Sequence, residues 1–447
     1  MPTRQSNKGP FWRAKIAGYG RVESADIEMA PLVLLVGRNN TGKSYIASLL
    51  WAFLNFEDTF LGAREAGDLL PEWFKAITSG EYDAENNSLL VTPTMFDAWV
   101  ERVLRDRLSS TVKRVLSYNP ATIVDLKFQS AGLARDCLIR RTPMDVTEDY
   151  TAQWGVVEQE GAFELEFSIA EGEWGAGLSK SMFSSLLGAI LDGAQNGYVG
   201  ANAVYIPAAR TGLMLALGPI TASALENLGI EEPEERTRLP LPTIRFLQAL
   251  TRGKRTSSGT RYEEVARFLE KEVLKGRIVR DETPNPSFSY ETETELALPL
   301  HVTSSMITEL APFMILLQNG RFDRGLIFEE PEAHLHLAAQ RSMARAIARL
   351  VNLGVPVVVT THSDTFLQEL NILMQLNGHP NRAELMATLG YEESDLVDPS
   401  DVRGYEFVDQ DGRTHVRATE INAYGVVVPS LNEVLTNLTD ELLAIQE

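Results

Sequence analysis

The chain has 447 residues, 44% of them hydrophobic and 23% charged, with a formal net charge of −20. Such a composition belongs to a globular protein long enough for more than one lobe, and its acidity argues against a body that coats nucleic acid indiscriminately. The one cysteine, Cys137, excludes an intramolecular disulfide and a cysteine-built zinc site, and it fits a reducing cytoplasm.

The N-terminal stretch Met1 to Pro10 is polar and lacks the apolar core of an export signal. No uninterrupted apolar run is long enough to span a bilayer, so no membrane partner is expected. Phe11 to Val22 and Ala25 to Met29 read as a β-hairpin. It leads into the apolar, β-branched strand Pro31 to Val36 and then into a helix over Tyr45 to Phe53. Phe56 to Ser117 reads as mostly helical, broken near Ser79-Gly80 and at Pro93. Short antiparallel strands are expected at Thr122 to Leu126, Asp136 to Arg141, Tyr150 to Glu158 and Phe163 to Ile169, then a helix at Ser179 to Ala194. Val204 to Ile206 is a strand ending at Pro207. Helices follow within Ile220 to Lys254 and at Tyr262 to Lys275, then strands at Gly276 to Val279, Ser287 to Tyr290 and Glu295 to Leu300.

After Leu300 the pattern alternates. Helices at Ser305 to Leu317, Leu335 to Asn352 and Thr365 to Leu376 separate buried strands at Gly325 to Phe328 and Val355 to Thr360. This spacing predicts a parallel sheet covered on both faces. Asp411-Gly412 marks a hairpin between Tyr405 to Val408 and Thr414 to Ala418, and Leu431 to Ile445 reads as an amphipathic helix. No internal repeat and no sustained heptads occur. Basic residues gather at Arg102, Arg105, Arg107, Lys113 and Arg114 on one helix and at Arg252, Lys254, Arg255 and Arg261 in a loop, either as solvated faces or as nucleic-acid contacts.

Gly37-Arg38-Asn39-Asn40-Thr41-Gly42-Lys43-Ser44 is a complete phosphate-binding loop between a strand and a helix. Gly37, Asn39, Asn40, Thr41 and Gly42 would curl their backbone around a phosphate at the helix N-terminus. Lys43 would reach the β- and γ-phosphates, and Ser44 would offer its hydroxyl to Mg²⁺. Leu326-Ile327-Phe328-Glu329-Glu330-Pro331-Glu332 places acids at the C-terminal end of a buried strand, the edge where ligands bind in such sheets. Glu329 could hold Mg²⁺, directly or through water, and Glu330 could accept a proton from, or orient, an attacking water. The next strand ends in Thr361-His362-Ser363, placing His362 to donate to a γ-phosphate.

Taken together, Gly37 to Ser44, Ser304-Ser305, Glu329 to His336 and Thr360 to Ser363 resemble the ABC-type ATPases of the OLD, RecF and SMC-like group, in matching order. The chain is most similar to the stand-alone prokaryotic AAA-type ATPases of anti-phage defence operons, and Tyr205 to Gly212 resembles that subgroup too. The resemblance implies an α/β fold: an ABC-type P-loop ATPase head with an antiparallel β-lobe, a doubly wound, mainly parallel sheet and a large, mostly helical insertion. It implies an N-terminal ATPase lobe over 1–55, an insertion over 56–200, a helical lobe over 201–300, a C-terminal ATPase lobe over 301–395 and a hairpin and helix over 396–447.

It further implies homodimers or higher oligomers that hold ATP head-to-tail, with Ser304 and Ser305 meeting the γ-phosphate from the partner. Glu332, Ala333 and His334 would lie near the subunit boundary. Arg210 follows the strand where the group's glutamine-bearing loop is expected, and it could instead neutralise phosphate charge. Two positions depart from the group's pattern: Met306 stands where the signature usually has glycine, and Glu329 where aspartate is commoner. A nuclease domain of the TOPRIM kind is not expected, because Asp395, Asp398 and Asp401 lack its spacing. The expected function is a cytoplasmic, ATP-hydrolysing scaffold or sensor for a separately encoded effector, a nuclease or toxin. The alternative is a DNA-binding, RecF-like repair ATPase.

Overall fold

A computed structural model describes residues 12–61, 69–74, 88–117, 125–129, 137–141, 152–159, 162–169, 203–226, 239–251, 260–281, 287–320, 322, 324–422, 424–429, 440–441 and 443–445. The helix expected at Ser179 to Ala194, the residues Arg252, Lys254 and Arg255, and most of the C-terminal helix lie outside them.

The chain opens with the expected hairpin, β1 (Trp12–Tyr19) and β2 (Val22–Met29), whose second strand starts three residues earlier than the sequence suggests. β3 (Leu32–Gly37) follows and is buried throughout, and α1 (Lys43–Leu54) starts at Gly42 in a left-handed conformation. Between α1 and β9 (Val204–Ile206) the described residues form β4 (Ser88–Val91), α2 (Pro93–Leu116), β5 (Asp125–Gln129), β6 (Cys137–Arg141), β7 (Ala152–Gln159) and β8 (Ala162–Ile169). The sequence placed helix over β4. Its short run Ser88-Leu89-Leu90-Val91 is ambiguous by period, and pairing with β6 decides it. The strands expected to be antiparallel differ in one pairing, because β6 and β8 run parallel. β5 leaves that group and joins β1.

Further on come α3 (Arg210–Glu226), α4 (Leu241–Thr251), α5 (Glu263–Leu269) and the small sheet β10 (Gly276–Arg280), β11 (Phe288–Thr292) and β12 (Ala297–Pro299). Then α6 (Ser305–Asn319), β13 (Leu326–Glu329), α7 (Leu337–Asn352), β14 (Val357–Thr361), α8 (Asp364–Gly378) and α9 (Arg382–Leu389) alternate. The C-terminal part adds β15 (Val402–Gln410), β16 (Arg413–Ala418) and the two-stranded β17 (Glu420–Asn422) and β18 (Gly425–Val427).

The central sheet has nine strands in the order β5-β1-β2-β16-β15-β3-β14-β13-β9. The five strands from β15 to β9 are all parallel. The strands β16, β2, β1 and β5 form the antiparallel lobe, joined through an irregular parallel pairing of β16 with β2. Side chains alternate as the pleat requires. Leu32, Leu34, Val36, Leu326, Phe328, Val357 and Val359 face one core together with α6, α7 and α8. Val33, Leu35, Ile327 and Val358 face the other, with α1 and α2. The expected α/β class is therefore present, with a sheet covered on both faces.

The Asp411-Gly412 turn has φ of 53° and 81°, the two left-handed residues that a tight hairpin needs. This hairpin belongs to the central sheet. β15 lies directly beside β3, and a Cβ on Gly37 would meet the Phe407 carbonyl oxygen at 2.8 Å.

Candidate functional site

Because β15, β3, β14, β13 and β9 are parallel, their C-terminal ends share one edge. There the phosphate loop after β3, the acids after β13 and the histidine after β14 come together. The loop is tightly folded: Asn40 is left-handed, with φ 63°, and the Thr41 hydroxyl donates to the Arg38 carbonyl at 2.8 Å. Arg21, at the β1–β2 turn, donates to the Asn40 carbonyl at 3.0 Å and pairs with Asp409 of β15 at 2.8 Å. Asn39 is exposed. Gly42 needs its left-handed φ of 89°, and a Cβ there would meet Val22 Cγ2 at 2.9 Å.

Lys43 is buried and donates from Nζ to the carbonyls of Gly37 at 2.7 Å and Arg38 at 2.8 Å. Burial pushes its pKa below the usual lysine range, opposed by the negative charges of Glu330, Glu332 and Glu329. One ammonium thus sits within the field of three carboxylates from a different part of the chain.

Glu329 is buried at the end of β13, and its Oε2 accepts the Ala208 amide at 3.2 Å. Burial raises its pKa above the usual carboxylate range, while hydrogen bonding from Ser44, Ala208 and Tyr205 works against that rise. Its Oε1 is buried without a hydrogen-bond partner. A buried carboxylate oxygen left over beside the hydroxyl of Ser44 is the donor set a hard divalent cation takes, so these residues fit Mg²⁺.

Glu330 is half-buried and left-handed, with φ 44°; its amide donates to the Thr360 carbonyl at 2.9 Å, which fixes it to β14. His362 is partly exposed, with Nδ1 3.7 Å from Glu330 Oε1 and 3.5 Å from Glu332 Oε1. The structure therefore brings Lys43, Ser44, Glu329, Glu330 and His362 to one place.

Ser304 and Ser305 open α6 and are exposed; the Ser304 side chain caps no amide. Among the described residues, no hydrogen bond joins either serine to the phosphate loop or to the acids. Met306 packs against the core, which leaves the two hydroxyls outward.

Glu332 is 3% exposed and lies inside the site, accepting the Thr361 hydroxyl at 2.6 Å and the His362 amide at 3.0 Å. The structure corrects one expectation. Arg210, expected to neutralise phosphate, is 0% exposed and donates to the carbonyls of Glu329 at 2.8 Å and Glu330 at 3.0 Å. Its counter-charge is Glu309 of α6 at 2.9 Å, a residue the sequence reading did not single out. A lone acid within Met306-Ile307-Thr308-Glu309-Leu310-Ala311 was the available sign that a buried cation faces this helix.

No helix among the described residues is long and apolar enough to cross a membrane. Residues 254–367 match the family model described as an AAA ATPase domain, about a quarter of the chain. That stretch holds Ser304, Ser305, Glu329, Glu330 and His362 and leaves the phosphate loop outside it. No curated protein matches the chain. Among solved structures, the chain is similar to an SMC head bound to the C-winged helix domain of ScpA, at 13% identity over 92% of this chain and 97% of that one, with a TM-score of 0.37. It is similar to the SMC head domain from Thermotoga maritima at 11% identity over 92% and 98% of the two chains, with a TM-score of 0.36. A third is the SMC head with an extended coiled coil, bound to the C-terminal domain of ScpA, from Pyrococcus furiosus. It gives 12% identity over 97% and 99% of the chains and a TM-score of 0.36. The chain thus carries a segment similar to AAA ATPase domains.

Proposed function

We propose that this chain binds and hydrolyses ATP with Mg²⁺, and that pairs of it form an ATP-gated scaffold or sensor for a separately encoded effector in anti-phage defence. The convergence of Lys43 with Glu329, Glu330 and Glu332 at one sheet edge carries the nucleotide reading. The loop amides and Lys43 take the phosphates, and Glu330 orients the attacking water beside His362. Ser44 and Glu329 would hold the cation, which would supply charge neutralisation when bound. Exposed Ser304 and Ser305, unbonded to their own phosphate loop, support γ-phosphate contact from a second copy.

Lys43→Ala is expected to abolish ATP binding in calorimetry, and Glu330→Gln to retain binding while phosphate release falls about 100-fold or more. Wild-type turnover in Lys43→Ala defeats the nucleotide assignment. Support for the scaffold role is the size of the insertion, which forms its own sheet β4-β6-β8-β7. Co-purification with the neighbouring gene products, with and without ATP, tests it, and no bound product in either state sinks it.

A second reading, an SMC- or RecF-like ATPase that clamps DNA, is favoured by exposed Arg102, Arg105 and Lys113 on α2. It requires ATP-dependent, salt-sensitive DNA binding that disappears when Arg102, Arg105 and Arg107 become alanine.

A further inference from the structure

We propose that Arg210 and Glu309 form a positioning pair that fixes the backbone of the acids Glu329 and Glu330 and ties it to the helix opened by Ser305. The proposal rests on the ATP reading above and adds to it the route by which the serine helix reaches the hydrolytic acids. The guanidinium is wholly buried, under a desolvation penalty that only a full set of partners offsets. Nη1 donates to the carbonyls of Glu329 at 2.8 Å and Pro207 at 3.3 Å, and Nη2 to that of Glu330 at 3.0 Å. Nε donates to the Glu309 carbonyl at 3.2 Å, and Nη2 pairs with the Glu309 carboxylate at 2.9 Å. The Thr211 hydroxyl donates to the other Glu309 oxygen. The guanidinium carbon lies 5.0 Å from the centre of the Phe328 ring, one residue before the acids.

These bonds converge on a strained element. Glu330 is a non-glycine residue at φ 44°, a conformation that persists only where its surroundings impose it. Its amide is held by Thr360 of β14, and its carbonyl by Arg210. With both peptide groups fixed, the side chain is aimed towards His362. Glu309 stands four residues after Ser305, on the same face of α6 one turn further in. A shift of α6, driven by contact of a phosphate with Ser304 or Ser305, therefore moves Glu309, and with it the fork that holds Glu329 and Glu330. Lysine cannot replace this arrangement, because an ammonium lacks the planar fork that reaches four carbonyls and a carboxylate at once.

Arg210→Lys and Glu309→Gln test the pair by three measurements: ATP affinity by calorimetry, turnover, and backbone hydrogen exchange. The expected result is unchanged ATP affinity, kcat lower by about 100-fold as for a misplaced reacting group, and faster exchange in segments 304–312 and 326–336 together. Glu309→Gln preserves shape and serves where Arg210→Lys does not fold. Unchanged kcat, or exchange confined to one segment, overturns the proposal. Should Lys43→Ala hydrolyse ATP like the wild type, the phosphate-loop assignment falls, while paired exchange in the two segments still upholds the mechanical link between them.

Discussion

Glu329 couples the chemistry of the site to the stability of the fold. Burial favours its protonated form, so its pKa is raised on folding. A group of this kind stabilises the fold most below the ordinary carboxylate range, and that contribution is lost as pH rises through the raised value. Without divalent cation, Glu329→Gln is therefore expected to be more stable than the wild type by about 1–3 kcal/mol above that window, as for relief of a buried unsatisfied group. In acid the two should converge. Denaturant titrations across pH in the presence of a chelator measure the difference, and a pH-independent gap counts against it. His362 is the second residue-scale test. It stands beside Glu330 and is held through its amide by Glu332. His362→Ala is expected to lower turnover by about 10²–10⁴-fold, as for loss of a positioned proton-transfer group, with ATP affinity little changed. A loss of affinity equal to the loss of turnover would place His362 in ground-state binding instead.

At the level of elements, the parts legible in the sequence are those whose evidence is local. The strand–loop–helix of β3 and α1, the acids ending β13, the histidine after β14 and the Asp411-Gly412 hairpin are set by glycine positions and short-range periodicity. The parts that escaped depend on distant partners. Nothing within Val402 to Gln410 says that it pairs with β3, and nothing in Ser88 to Val91 says that Cys137 to Arg141 will meet it. The partners of Glu332 escaped for the same reason, since Thr361 and His362 lie some thirty residues later. Asp395 shows how strongly such distant contacts bind elements together. It is fully buried after α9 and pairs with Arg345 at 2.8 Å and Arg349 at 2.7 Å on α7. Burial alone would raise its pKa, but hydrogen bonds from the two guanidiniums and the Glu392 amide bring it below the usual range. Its stabilisation is present above that range and is lost as pH falls through the lowered value. Asp395→Asn is expected to cost about 1–3 kcal/mol at neutral pH, because it weakens charge-assisted hydrogen bonds of two arginines that keep other partners, Arg345 the Gly390 carbonyl and Arg349 the Glu392 carboxylate. Chemical denaturation reads this directly, and a change below 1 kcal/mol would show the pair to be incidental.

For the whole molecule, the proposed contact of Ser304 and Ser305 with a partner's nucleotide makes complementation the decisive measurement. Lys43→Ala and a Ser304→Ala/Ser305→Ala variant are each expected to be inactive alone. Mixed together, they form dimers in which one composite site keeps both Lys43 and the two serines. Turnover should therefore return on mixing and depend on protein concentration. If the mixture stays as inactive as its parts, the serines do not act across a subunit boundary. The position of β15 has a consequence of another kind. The strand carrying the phosphate loop is made long before both of its neighbours, β14 and β15. On the ribosome, β3 must wait with its edges uncovered until Val402 to Gln410 has left the exit tunnel. Sequence-distant pairing of this sort slows folding and leaves strand edges open to aggregation. Nascent chains arrested before residue 402 should therefore rely on chaperones and fail to retain nucleotide, so that competence for ATP arrives only once Val402 to Gln410 has emerged.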